Sequence, residues 1–168
     1  IGHDETGGIT GYNFAAYIYA CSFSGSVYSD TIAGGIAGIS MGPLAACYSS
    51  GTVKCGSTAG GITGINRFHK MISCYSTGSV NGNDTIGGIT GLNENAEITA
   101  CFWENGGDIP GVGRSLSSGD LDVIKIGDGN SWETALSEMN TALAEYGYEY
   151  AENTGPDAGG FPLIAVSK

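Results

Sequence analysis

Basic residues are scarce in this chain: six Lys and Arg stand against seventeen Asp and Glu over 168 residues, a formal net charge of −11. Nucleic acid and anionic membranes bind proteins through a positive patch that displaces counterions, so a chain this acidic excludes both as partners. No apolar run reaches the length of roughly 18 residues that a membrane-spanning helix needs, so insertion of this segment into a bilayer is not expected. The opening Ile1-Gly2-His3-Asp4 lacks the charged and apolar stretches of a leader. His3 and His69 are the whole histidine complement, and more than two sequence repeats separate them. A nucleophile, base and orienting acid therefore have little to assemble from, and solvated loop positions are the simpler account of both histidines. Proline is also rare, with four residues.

Glycine is the opposite case. Thirty glycines exceed ordinary usage more than twofold, yet 41% of the chain is hydrophobic, too much for a disordered linker. Self-comparison shows their use. Gly7-Gly8-Ile9-Thr10-Gly11 returns as Gly34-Gly35-Ile36-Ala37-Gly38, Gly60-Gly61-Ile62-Thr63-Gly64 and Gly87-Gly88-Ile89-Thr90-Gly91, at a step of about 27 residues whose middle instance is shorter by one position. A second block keeps the period: Cys21 to Val27, Cys47 to Val53, Cys74 to Val80, and a truncated Cys101-Phe102-Trp103.

Recurrence at one period predicts stacking. Each block holds a few β-prone residues between glycines, too short for a helix and suited to strands of about 3–6 residues with corners between them. One repeat cannot bury its apolar side alone, but repeats stacked at about 4.8 Å pair their backbones and fuse their apolar positions into one core. The expected interior ladders are Ile9, Ile36, Ile62 and Ile89; Val27, Val53 and Val80; and Ile18, Leu44, Met71 and Ile98. The first two glycines of each block are expected at corners, by positive φ or by close backbone approach. Asn13, Ser40, Asn66 and Asn93 mark the next corner, where asparagine tolerates left-handed geometry and its amides can ladder. The fold class is therefore all-β: a parallel β-helix or solenoid of about four rungs of about 26–27 residues, with a three-sided coil and right-handed crossovers as the default and a flattened two-sided coil as the alternative.

After Trp103 the period stops. Residues 1–103 form the repeat region and 104–168 a C-terminal loop, helix and strand cap, which carries eleven acidic residues against three basic ones. Residues 104–130 read as loop with one short strand, Leu121 to Ile126. Ser131 is placed to cap a helix of about 15 residues whose apolar face is Trp132, Leu136, Met139, Leu143 and Tyr146, ended by Gly147. Phe161 to Val166, with Pro162, reads as an edge strand or hydrophobic anchor. The first rung has no covering device, and unpaired strand edges invite aggregation, so further repeats or another domain are expected before Ile1.

Gly7 to Asn13 and Cys74 to Val80 resemble the two halves of the GLUG motif, a Gly-Gly-Leu-Val-Gly-Tyr-Asn type segment followed by a Cys-Tyr-Ala-Thr-Gly-Ser-Val type segment. Cys101 through Gly113 is similar to the way such arrays end, so the likeness covers residues 1 to about 114. Isoleucine replaces leucine in every glycine block, and in Ser22-Phe23 the aromatic is displaced by one position. The resemblance implies a secreted or cell-surface bacterial protein, adhesin-like, whose repeats serve as a stalk or a binding surface. It carries over no catalytic residue, cofactor or metal.

Cys21, Cys47, Cys74 and Cys101 supply one thiol per rung and form no Cys-x-x-Cys pair, so a buried thiol ladder is expected in place of a four-ligand metal centre; Cys55 lies outside it as a free and exposed thiol. Stacked disulfides would be strained, because in-register parallel Cβ atoms sit farther apart than the bond prefers. Asp120, Asp122 and Asp128-Gly129-Asn130 match neither the EF-hand nor the nonapeptide calcium pattern and read as turn residues. Asp30 and Asp84 fall two repeats apart, unlike a glycosidase carboxylate pair. No catalytic, cofactor or metal site is expected. Tyr48, Tyr75 and Phe102 each follow an interior cysteine, so alternation turns them outward into an aromatic row, the candidate surface for a glycan or protein partner. Packing against the C-terminal helix and stacking between rungs are the competing uses of that row.

Overall fold

The computed structural model describes residues 3–105, 107–127, 129–152 and 161–166. The chain winds into a parallel β-solenoid whose short strands stack in four columns. Glu5–Gly7, Ile32–Gly34, Thr58–Gly60 and Thr85–Gly87 form the first column, and Thr10–Phe14, Ala37–Met41, Thr63–Arg67 and Thr90–Glu94 the second. The third holds two short strands per turn, as in Leu44–Ala45 and Tyr48–Ser49, which merge into Ile98–Trp103 in the fourth turn. Ser26–Ser29, Thr52–Cys55 and Val80–Asn81 make the fourth column.

The repeat register is the stacking register. Gly34 lies beside Gly60 and Gly60 beside Gly87, while Val27, Val53 and Val80 align, as do Leu44, Met71 and Ile98. Ile36 donates its N–H to the Ile62 carbonyl at 2.9 Å, and Ile62 donates to Ile89 at 2.8 Å. Ile36, Ile62 and Ile89 are fully buried with Leu44, Met71, Ile98 and three of the cysteines in one continuous core. Ile9, their equivalent in the first turn, is 49% exposed because nothing stacks on its far side among the described residues. Full burial of each inner isoleucine contributes about 1.5–3 kcal/mol, and sharing the column between turns makes that burial available to short strands.

The block glycines act by close approach and not by positive φ. Among the described glycines only Gly127, Gly129 and Gly147 have positive φ. A Cβ at Gly35 would collide with the Gly61 carbonyl and the Ser49 hydroxyl, and one at Gly61 with the Gly88 carbonyl and the Ser76 hydroxyl. The asparagine corner also departs from expectation. Asn13, Asn66 and Asn93 are buried and stay extended, while the left-handed residue comes two positions later, at Ala15, Phe68 and Asn95 (φ 59°, 65° and 50°). Their amides do tie the corner: Asn66 Nδ2 donates to Asn93 Oδ1 at 3.1 Å, and Asn93 Nδ2 to the Ala96 carbonyl at 2.8 Å. In the second turn, the path from Ser40 to Leu44 is one position shorter than that from Asn66 to Met71, so this corner omits the left-handed residue. That deletion is the origin of the single shortened step in the repeat; Ser40, in register with Asn66, has no amide N–H to continue the ladder, and Asn66 Oδ1 is buried without a hydrogen-bond partner.

The coil does not end at Trp103. Val112–Ser115 extends the second column, pairing Thr90 with Val112, and Leu121–Lys125 extends the third, pairing Cys101 with Val123. Both offsets fall short of the repeat step, so the period contracts instead of stopping. Self-comparison at a constant step misses this turn, since only Gly111-Val112-Gly113 keeps part of the motif. Trp103 fills the inward position held by Ser49 and Ser76 in the turns above, closing the core against Ile109, Val112 and Val123.

The helix spans Trp132–Leu143, with the Ser131 hydroxyl accepting from the Thr134 N–H at 3.3 Å as its N-cap. Ala135, Met139 and Leu143 are its buried face. Tyr148–Ala151 then pairs antiparallel with Leu163–Val166, which places the predicted C-terminal strand. Helix and hairpin lie along the flank of the third column, and not across an end of the coil. Trp132 donates to Glu104 beside the fourth turn at 2.7 Å, while Tyr146 packs on Tyr19 of the first turn with ring centroids 5.7 Å apart.

Candidate binding surface

Tyr48, Tyr75 and Phe102 do form a row, in register on three successive turns and directed out of the coil. The Tyr48 and Tyr75 rings stack with centroids 4.9 Å apart and planes 2° from parallel. The helix and hairpin cover them. Tyr75 is 1% and Phe102 2% exposed, in a cluster with Met139, Leu143 and Tyr150, and Tyr48 is half-buried at its margin. Trp132 and Tyr150 meet Tyr75 edge-on at 5.1 and 5.5 Å, and the Tyr75 hydroxyl donates to the Pro162 carbonyl. Burial, reinforced by Tyr48, holds the Tyr75 phenol above its ordinary range. Alternation correctly turned these side chains outward; it carried no information on what would cover them. In the first turn the displaced aromatic leaves Ser22 in the outward row and sends Phe23 into the core.

The third column is kinked at one residue per turn. Ala20, Ala46, Ser73 and Ala100, each just before a ladder cysteine, have φ of 53°, 52°, 49° and 49°. This conformation costs a non-glycine residue about 1–2 kcal/mol, so four of them in register must be held by their surroundings. The flanking cap supplies the ties. Ser73 Oγ donates to the Met139 carbonyl at 2.9 Å, and the Tyr150 hydroxyl reaches the Ser73 and Cys47 carbonyls at 2.9 and 3.4 Å. Asp122 Oδ2 accepts from the Ala100 N–H at 2.7 Å. Tyr150 is buried, and that burial raises its phenol well above the ordinary value.

The thiols stand in a column. Cys47, Cys74 and Cys101 are fully buried and Cys21 is half-buried at the first turn, all reduced. Hydrogen bonding to Cys47, then burial, raises the Cys21 pKa. Cys47 is pulled down by Cys21, but its bond to Cys74 and its burial leave it raised on balance. Burial and then Cys101 raise Cys74 well above the ordinary value. Raised in this way, Cys21, Cys47 and Cys74 stay neutral at physiological pH. Cys55, expected exposed, is instead buried between Val27, Val53, Ala33 and Ala59. Two steps along a strand from the inward Val53, it faces inward by the same alternation.

The remaining candidates are dispersed. His3 Nδ1 lies 2.7 Å from Asp30 Oδ2 on exposed loops, while His69 is on the corner of the third turn. Asp122 is engaged by backbone, and Asp128 lies outside the described residues. No cluster of three His, Cys, Asp or Glu side chains is found among the described residues.

One aromatic set is left in water, at the corner between the second and third columns. Phe14 and Tyr17 of the first turn are 74% and 72% exposed, and Phe68 of the third is 56% exposed. Tyr12 is exposed beside them, its hydroxyl against Met41 Sδ at 2.7 Å. Below Phe68, a depression of about 220 Å³ is lined by Phe68, His69, Lys70, Asn95 and Glu97. Lys70 Nζ pairs with Glu97 Oε2 at 2.8 Å, which raises the lysine pKa, and Arg67 pairs with Glu94 alongside. Position-by-position comparison of the corners could have found this set, since Phe14, Tyr17 and Phe68 fall outside every ladder.

Fold and register define a parallel β-solenoid repeat protein of about four full turns, braced along one flank by a helix and hairpin. Comparison with models of protein families, with curated proteins and with solved structures gives no match.

Proposed function

We propose that this solenoid is a non-catalytic binding module of a GLUG-type, adhesin-like protein, secreted by or displayed on a bacterial cell. The observation that carries the reading is the corner set Phe14, Tyr17 and Phe68, which stays in water while the Tyr48–Tyr75–Phe102 row is consumed by internal packing. Large aromatics on a rigid frame bind ligands with little loss of side-chain entropy, and three at one corner exceed the scatter of ordinary exposed residues. Burial shields the thiols from oxidants, which makes free cysteines compatible with an external location. Glycans and surface proteins are the partner classes suited to an exposed aromatic face.

The test is binding of the labelled protein to arrayed glycans and to immobilised extracellular-matrix proteins, with a Phe14→Ala/Tyr17→Ala/Phe68→Ala variant alongside. Saturable binding by the parent, lost in the triple variant at unchanged melting temperature, is the expected result. Absence of binding to both arrays would favour a passive spacer, to which the rigid coil is equally suited. A polysaccharide-active enzyme is the weakest alternative, and release of reducing ends from glycan polymers would bring it forward.

A further inference from the structure

We infer that the corner depression between the third and fourth turns is a binding site for a neutral sugar ring, with Phe68 as the stacking platform and His69, Lys70, Asn95 and Glu97 as the polar rim. This assignment rests on the binding-module reading and names its site and ligand class.

Phe68 bears two costs that packing does not return. Its backbone is left-handed, φ 65°, a conformation that bulky residues rarely adopt, and its ring is 56% exposed. The equivalent positions hold Ala15 and Asn95, residues for which the same geometry exposes little or no apolar surface. Backbone strain and a solvated aromatic at one position mark a side chain retained for contact with something else.

The surroundings select the ligand. Sugars present an apolar C–H face and a periphery of hydroxyls, so they need an aromatic plane beside closely spaced donors and acceptors. The depression supplies both: the Phe68 ring, the Lys70 ammonium and Asn95 amide as donors, and the Glu97 carboxylate and Asn95 carbonyl as acceptors. Charge within it is balanced, since Lys70 pairs with Glu97 and, alongside, Arg67 with Glu94. A balanced rim on a chain of net charge −11 offers no advantage to sulfated, sialylated or uronate-bearing glycans, so the ligand is an uncharged hexose or N-acetylhexosamine. The volume of about 220 Å³ accommodates one ring, so further residues of a chain would extend along the corner toward Phe14 and Tyr17.

The experiment titrates the full 168-residue chain, by amide-resolved NMR, with short oligomers of glucose, galactose, mannose and N-acetylglucosamine, and with a sulfated and a sialylated oligosaccharide. Expected are shifts centred on residues 67–70 and 94–97 with at least one neutral oligomer and weaker ones with its anionic counterparts. Phe68→Ala should weaken that binding about tenfold, the upper range for loss of one aromatic contact. Phe68→Gly should also lose binding while raising the melting temperature, since glycine relieves the left-handed strain; a purely structural role for Phe68 would not produce those opposite signs. Phe68→Trp should retain binding. If the parent binds neutral glycans and Phe68→Ala leaves affinity unchanged, the site is misassigned while the binding-module reading stands. If no neutral oligomer produces shifts at this corner, the inference is overturned, and matrix-protein binding decides the broader reading separately.

Discussion

Raising the pH should destabilise this protein through its buried thiols and phenols. Cys47 and Cys74 stand in the core, and Tyr75 and Tyr150 under the helix, all with pKa values held above the ordinary 9.0 and 10.0. A group whose folded pKa is raised contributes stability that is complete below its unfolded pKa. That stability is lost as pH climbs above the unfolded value, because the unfolded chain then releases a proton that the native state retains. At pH 10 each thiol costs about 1.4 kcal/mol and each phenol about 0.4 kcal/mol, so the four together remove about 3.5 kcal/mol relative to pH 8. Against a total stability of about 5–15 kcal/mol for an ordinary domain, such a loss is readily measured. Urea denaturation under reducing conditions at pH 8, 9 and 10 provides the values. Cys47→Ala/Cys74→Ala, though less stable at pH 8, should lose about 2.7 kcal/mol less than the parent over the same interval, since its thiols no longer contribute. A flat profile to pH 10, or thiolate absorbance appearing in the native protein near pH 9, would refute the assignment of these groups to a dry interior.

Three further substitutions probe other parts of the structure. Gly61→Ala should cost more than about 3 kcal/mol by urea denaturation, because its methyl group collides with the backbone of Gly88 and neither strand can move without breaking register; a loss below about 1 kcal/mol would show that the turns are not close-packed. Tyr150→Phe should cost about 1–3 kcal/mol, since the buried Ser73 carbonyl loses its donor at 2.9 Å, and an unchanged melting temperature would mean that water replaces the hydroxyl. Ala46→Val should destabilise by more than about 2 kcal/mol in the same assay, because a β-branched residue strongly resists the left-handed conformation and has no space under the helix.

The parts legible in the sequence were those repeated at constant spacing. Ile36, Ile62 and Ile89 announced a shared column because each recurs in the same block, and Ser131 announced the helix start through its side-chain chemistry. The kink at Ala20, Ala46, Ser73 and Ala100 was hidden, because left-handed geometry usually advertises itself as glycine or asparagine and here falls mostly on alanine. Val112–Ser115 was hidden by a change of spacing, since a strand displaced by a shorter step does not align in a search at the repeat period. For the aromatic row, alternation gave the direction of Tyr75 correctly, but burial of its ring depends on Trp132 and Tyr150, far along the chain. Contacts between non-repeating and repeating segments leave no periodic trace.

The helix and hairpin also fix how many turns are braced. The helix lies against the third and fourth turns, with Trp132 on Tyr75 and Glu104 and Met139 on Ser73, while Tyr146, Tyr148 and Tyr150 beyond it reach Tyr19 and Cys47 of the first and second. Together they cover a fixed stretch of the stack: every rung gained by duplication, at about 4.8 Å each, would lie beyond that cover unless the flanking segment lengthened with it. An array that grows by copying its repeat alone would carry unbraced rungs, with a fresh tyrosine on each of them left in water.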